Sequence, residues 1–126
     1  MTNPEKPDPT LPRLRLRLKL AGGGWLGPGK ADLLAGIKET GSISAAGQRM
    51  DMSYKRAWGL VEILNAMFKA PLVLTSRGGA SHGGAELSET GHQVLGLYLQ
   101  MQARAEEALS SEIADLRILS ADARPE

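Results

Sequence analysis

The run Thr40–Phe68, TGSISAAGQRMDMSYKRAWGLVEILNAMF, leaves this chain few ways to fold. Apolar residues recur at threes and fours on either side of a short interruption, which predicts two helices joined by a tight turn. The first starts at Ser42 and turns Ile43, Ala46 and Met50 inward. The second starts at Ser53 and turns Ala57, Val61, Leu64 and Phe68 inward, a helical period held over four turns. A serine at each start can accept a hydrogen bond from a backbone N–H that has no partner inside the helix.

Around this pair the chain supplies one modest core. With 126 residues, 42% of them apolar, a single domain is expected. The absence of cysteine excludes a disulfide framework and thiolate metal sites. No apolar run is long enough for a signal peptide or a membrane span, so a cytoplasmic protein without membrane contact is expected. Residues 1–11 hold three prolines and little apolar content and predict a disordered lead-in, residues 12–116 the folded domain, and residues 117–126 a frayed tail.

From Arg13 to Leu20 leucines alternate with Arg13, Arg15, Arg17 and Lys19, which predicts a half-buried strand with a cationic outer face. Charges so placed also keep an edge strand from pairing with foreign strands. A helix follows over about Gly29 to Glu39, with Pro28 in its first turn and Leu33, Leu34 and Ile37 inward. Beyond the central pair, Pro71–Ser76 and Ala85–Leu87 read as a hairpin whose tip, Arg77–Gly84, is rich in glycine. Ser88 then caps a last helix of about six turns, with Val94, Leu95, Tyr98, Met101, Ala105, Leu109, Ile113 and Leu116 on one face. A small body cannot cover so long a stripe, and a second copy or another partner is expected against its far half.

Strand, helix, helix, tight turn, helix, hairpin and helix in that order make a winged helix-turn-helix: mainly α with a small β component and a long C-terminal dimerisation helix. The overall net charge of +1 conceals a division. Residues 12–84 carry eleven Lys/Arg against four acids, and residues 85–126 carry three against eight. A basic body suits a polyanion, and duplex DNA is the expected partner. The second helix of the pair would present Ser53, Tyr54, Lys55 and Arg56 to the major groove, Arg49 is placed for a phosphate contact, and Ser42 and Ser44 complete the expected DNA-binding residues. Outward-facing Gly59 would let that helix sit deep. Arg77 and His82 in the wing at 77–84 could touch backbone or groove.

Other readings are weaker. Tyr54 and Trp58 suit packing better than base stacking. The glycine-rich stretch before Lys30 lacks the spacing of a phosphate loop. His82 and His92 stand without further ligands, so neither a metal nor a cofactor is expected. No nucleophile, base and orienting group come together, so no enzyme is expected. A winged-helix module for protein interaction, its basic face incidental, remains as an alternative.

The words TGSIS and SYK.AW, with LGPGK upstream and PLV, GG…GGA.L….G and LYLQM downstream, resemble the N-terminal DNA-binding domain of the ModE family of molybdate-responsive transcriptional regulators. The similarity spans about residues 12–116. It implies a winged helix-turn-helix homodimer, held partly by the first and last helices, on a palindromic operator. It puts Ser53, Tyr54, Lys55 and Arg56 at the recognition-helix end and Arg77–Gly84 in the wing. The family's molybdate-binding domains, and its SARN-type molybdate motif, are not expected in this chain. Asp51 stands where glycine is usual in the turn, and Asp tolerates left-handed geometry. Gly47 stands where alanine is more usual and is expected to loosen its helix. A LysR-type N-terminal domain shares the GSIS pattern but usually has Ser-Gln-Pro where this chain has Ser53-Tyr54-Lys55.

Overall fold

Ser42, Ser53 and Ser88 each begin a helix in the computed structural model, which describes residues 13–76 and 84–121. The Ser42 hydroxyl accepts the Ala45 N–H at 3.0 Å, Ser53 that of Arg56 at 3.1 Å, and Ser88 that of Gly91 at 2.9 Å. In order, the elements are β1 (Leu18–Lys19), β2 (Trp25–Leu26), α1 (Pro28–Thr40), α2 (Ile43–Arg49), α3 (Tyr54–Met67), β3 (Val73–Ser76), β4 (Gly84–Leu87), α4 (Glu89–Ala108) and α5 (Ser110–Leu119). Pro28 opens α1, and Gly41, at φ 73°, closes it by donating its N–H to the Ile37 carbonyl. Asp51 takes the left-handed turn position at φ 58°, as its short side chain permits.

The core is built round α1, whose Leu33, Leu34 and Ile37 are wholly buried. Ile43 and Ala46 from α2 and Ala57, Val61 and Leu64 from α3 pack into it, with Met50 and Phe68 half-buried at its margin. Leu72, Val73, Ala85 and Leu87 close it from the hairpin, and Val94, Leu95 and Tyr98 from α4. Strands β3 and β4 are antiparallel in the register Val73↔Leu87 to Ser76↔Gly84. The Ala85 N–H bonds the Gly41 carbonyl at 2.9 Å, so the hairpin leaves the body beside the end of α1. The architecture is a winged helix-turn-helix.

Two expectations need correction. The alternating segment Arg13–Leu20 is not a strand along its length: only Leu18 and Lys19 pair, antiparallel to Leu26 and Trp25. Among the described residues no second strand runs beside residues 13–17, and α4 supplies their partners instead. Tyr98 Oη donates to the Leu16 carbonyl at 2.9 Å, Gln102 Oε1 accepts the Leu16 N–H at 3.0 Å, and Gln102 Nε2 donates to the Leu14 carbonyl. Alternation survives as exposure, with Arg13, Arg15 and Arg17 out and Leu14 and Leu16 half-buried.

The last helix is also interrupted, at Leu109, before the Ser110-Ser111 pair starts α5. Serine competes with the backbone for hydrogen bonds and favours such a bend. Gly47 has a packing role besides its low helix propensity. It is buried, and a Cβ there would lie 2.9 Å from the Ala57 Cβ and 3.4 Å from Met52 Cγ. Its missing side chain is what lets α2 and α3 approach.

Candidate nucleic-acid interface

Helix α3 meets solvent with its first turn. Ser53, Tyr54, Lys55 and Arg56 are all exposed, while Ala57, one residue on, is fully buried. A helix start carries partial positive charge from its unpaired N–H groups, and two cationic side chains here add to it. Neither Lys55 nor Arg56 forms an ion pair among the described residues. The Ser53 oxygen is engaged as the cap. The exposed Tyr54 ring meets half-buried Trp58 edge-on, with centroids 6.1 Å apart and planes at 76°. Trp58 itself packs on the core, and Tyr54 is held on the surface against it.

The other expected residues divide. Ser42 is half-buried with its hydroxyl oxygen in the cap of α2, and Ser44 is half-buried two residues on. Arg49, at the end of α2, is exposed but pairs with Glu39 of α1 at 2.8 Å. Both partners lie in water, so the pair is weak and its guanidinium is easily drawn away. Arg77 and His82 lie outside the described residues; the paired strands β3 and β4 are described as far as Ser76 and Gly84, the Gly84 N–H donating to Ser76 Oγ at 3.3 Å.

Sequence reasoning did not find Asn65. From the last turn of α3 its Oδ1 accepts the Leu72 and Val73 N–H groups at 2.8 and 3.0 Å, and its Nδ2 donates to the Val73 carbonyl at 3.2 Å. One side chain thus ties the exposed helix to the first strand of the wing. Its only sequence signal is a polar residue on a helix flank next to an apolar one, which many helices share. A second cationic feature lies elsewhere. Arg17 and Lys19 stand 4.8 and 5.8 Å from the exposed Trp25 ring, and Lys30 Nζ donates to the Trp25 carbonyl at 2.9 Å.

A cationic helix start beside a two-stranded wing can be set against known proteins. No family model matches the chain. Over 89 residues it is 39% identical to the molybdenum-pterin-binding protein MopB of Rhodobacter capsulatus, covering 71% of this chain and 33% of that one. Over 102 residues it is 34% identical to the DNA-binding transcriptional dual regulator ModE of Escherichia coli K12, covering 79% and 39%. The transcriptional regulator ModE of Haemophilus influenzae is 33% identical over 93 residues, covering 74% and 36%. The chain is similar to ModE regulators. It spans about a third of the length of these curated relatives. Among solved structures, that of the CbnR DNA-binding domain in complex with DNA superposes with a TM-score of 0.54 at 22% identity, over 69% of this chain and 94% of that one. That likeness is one of fold. Among the described residues no helix is long and apolar enough to cross a membrane.

Proposed function

We propose that this chain is a sequence-specific, double-stranded DNA-binding transcriptional regulator of the ModE kind, acting as a homodimer and not as an enzyme. The observation that carries the reading is the exposed first turn of α3, where Tyr54, Lys55 and Arg56 stand together with no carboxylate paired to either cation among the described residues. ModE regulators among the relatives support it, as does a neighbour of the same fold solved on DNA. Arg56 can bond guanine O6 and N7 through two N–H groups, and Lys55 can bond one acceptor or a phosphate. Ser42, Ser44 and Arg49 face the flanking phosphates, Arg49 after leaving Glu39. Arg77 and His82 of the wing are the remaining residues proposed to contact phosphate or groove.

A second copy covers the apolar face of the last helices. Leu97, Met101, Leu109, Leu116 and Leu119 are exposed there, a stretch that costs free energy in water. Helix α1 has no exposed large hydrophobic residue, so α4 and α5 supply the apolar contact. Selection from a pool of random duplexes tests the function. A ModE-kind regulator enriches one inverted-repeat sequence at moderate salt; enrichment of no sequence would overturn the reading and favour a module for protein interaction.

A further inference from the structure

Past its cationic first turn, the exposed side of α3 holds an apolar side chain that the monomer does not use. Ile63 is 49% exposed in the middle of the helix, while Val61 and Leu64 beside it are buried. Seven residues separate it from Arg56, which at 100° per residue sets the two about 20° apart on the helix surface and roughly 10 Å apart along it. Between them is Gly59. A Cβ added at Gly59 would meet no atom within 4 Å, so neither packing nor a positive φ calls for glycine there. The stripe Arg56–Gly59–Ile63 therefore offers a cation, then a gap in which the helix backbone is bare, then a branched apolar group.

That order matches the edge of a DNA major groove. Two groups about 10 Å apart on a helix lying in the major groove meet different base pairs. Where Arg56 reads a guanine, Ile63 faces a different base pair farther along the groove, and the bare Gly59 backbone lets the helix come close. The one apolar group exposed on base edges in the major groove is the thymine 5-methyl. We propose that Ile63 is a specificity-determining residue that packs on a thymine methyl, and that Gly59 gives the helix the depth this contact needs. The inference rests on the DNA-reading function proposed above and deepens it, adding a base-class preference that Ser53 to Arg56 do not supply.

Its test uses the duplex enriched from the random pool. Each thymine is replaced in turn by deoxyuridine, which removes only the methyl, and affinity is measured by fluorescence anisotropy for the wild type, Ile63→Ala and Gly59→Ala. Loss of one buried methyl corresponds to about fourfold in affinity. The wild type is expected to lose about that much at one symmetry-related pair of thymines. Ile63→Ala is expected to bind the unmodified duplex more weakly by a similar factor and to be indifferent to the same replacement. Gly59→Ala is expected to weaken binding while its melting temperature rises. Wild-type indifference to every replacement overturns the assignment, as does a replacement that weakens Ile63→Ala as much as wild type; in both cases Lys55 and Arg56 keep their roles. A pool that yields no enriched duplex removes the function and this inference together.

Discussion

At Gly47 and Gly59 the same residue type serves opposite ends, and the surroundings decide which. Gly47 is buried where a Cβ would press on Ala57, so Gly47→Ala is expected to cost about 1–3 kcal/mol from overpacking, despite alanine's better helix propensity. Gly59 has open space, so Gly59→Ala is expected to stabilise by about 1 kcal/mol. Urea midpoints of the two variants should move in opposite directions, and a shared direction would contradict this account of α2–α3 packing. Asn65 acts through its hydrogen bonds instead. Asn65→Ala leaves the Leu72 and Val73 N–H groups without their partner, and a loss of about 1–3 kcal/mol in the same measurement is expected. The sequence showed Gly47 only as a poor helix former, because propensity is local and the Ala57 methyl it must avoid comes from the next helix. Arg49 was legible as a surface cation, but its Glu39 partner lies ten residues back and came into view only with the angle between α1 and α2.

Among the elements, those fixed by neighbouring residues were legible, and those fixed by distant ones were not. Serine caps, Pro28, the closing Gly41 and the 3.6-residue period all act within a turn or two, and the predicted helices are present with nearly the predicted inward faces. The segment from Arg13 alternates as a strand does, yet its hydrogen-bond partners are side chains more than eighty residues away on α4. Tyr98 makes that attachment testable. Its hydroxyl is pushed up from the ordinary 10.0 chiefly by burial, with Arg15 opposing and Asp32 adding to the shift. A folded value above the unfolded one means that the stabilisation is complete below about pH 10 and declines as pH climbs through the raised value, because the unfolded chain gives up its proton first. Unfolding midpoints taken from about pH 9 to about pH 11 should therefore fall in the wild type and fall less in Tyr98→Phe. The variant should also lose about 1 kcal/mol at neutral pH with the bond to Leu16. Equal alkaline decline in both proteins would remove Tyr98 as the cause.

Taken whole, the molecule divides its work by region. The exposed cations of α3 and the N-terminal segment belong to the basic part, and the acidic part carries the apolar face of α4 and α5. If a second copy covers that face, Met101→Glu, an exposed position on it, should shift the mass from two chains to one in sedimentation at micromolar concentration without lowering the melting temperature of the monomeric body. A mass of one chain for the wild type would contradict the homodimer. The wing tip, with Arg77 and His82, lies outside the described residues, so the candidate interface is clearest at α3. The most direct test of the central claim is therefore affinity for the selected duplex as a function of salt, compared among the wild type, Lys55→Ala and Arg56→Ala. The wild type should bind more weakly as salt rises, with a logarithmic slope of about −0.9 for each phosphate neutralised. Losing a base contact of about 1–3 kcal/mol weakens binding by roughly five- to a hundredfold and relaxes preference at one position, whereas losing a phosphate contact lowers the slope by about one. The account predicts one or the other for each variant, with the fold intact. Unchanged, salt-insensitive affinity in both variants would contradict it.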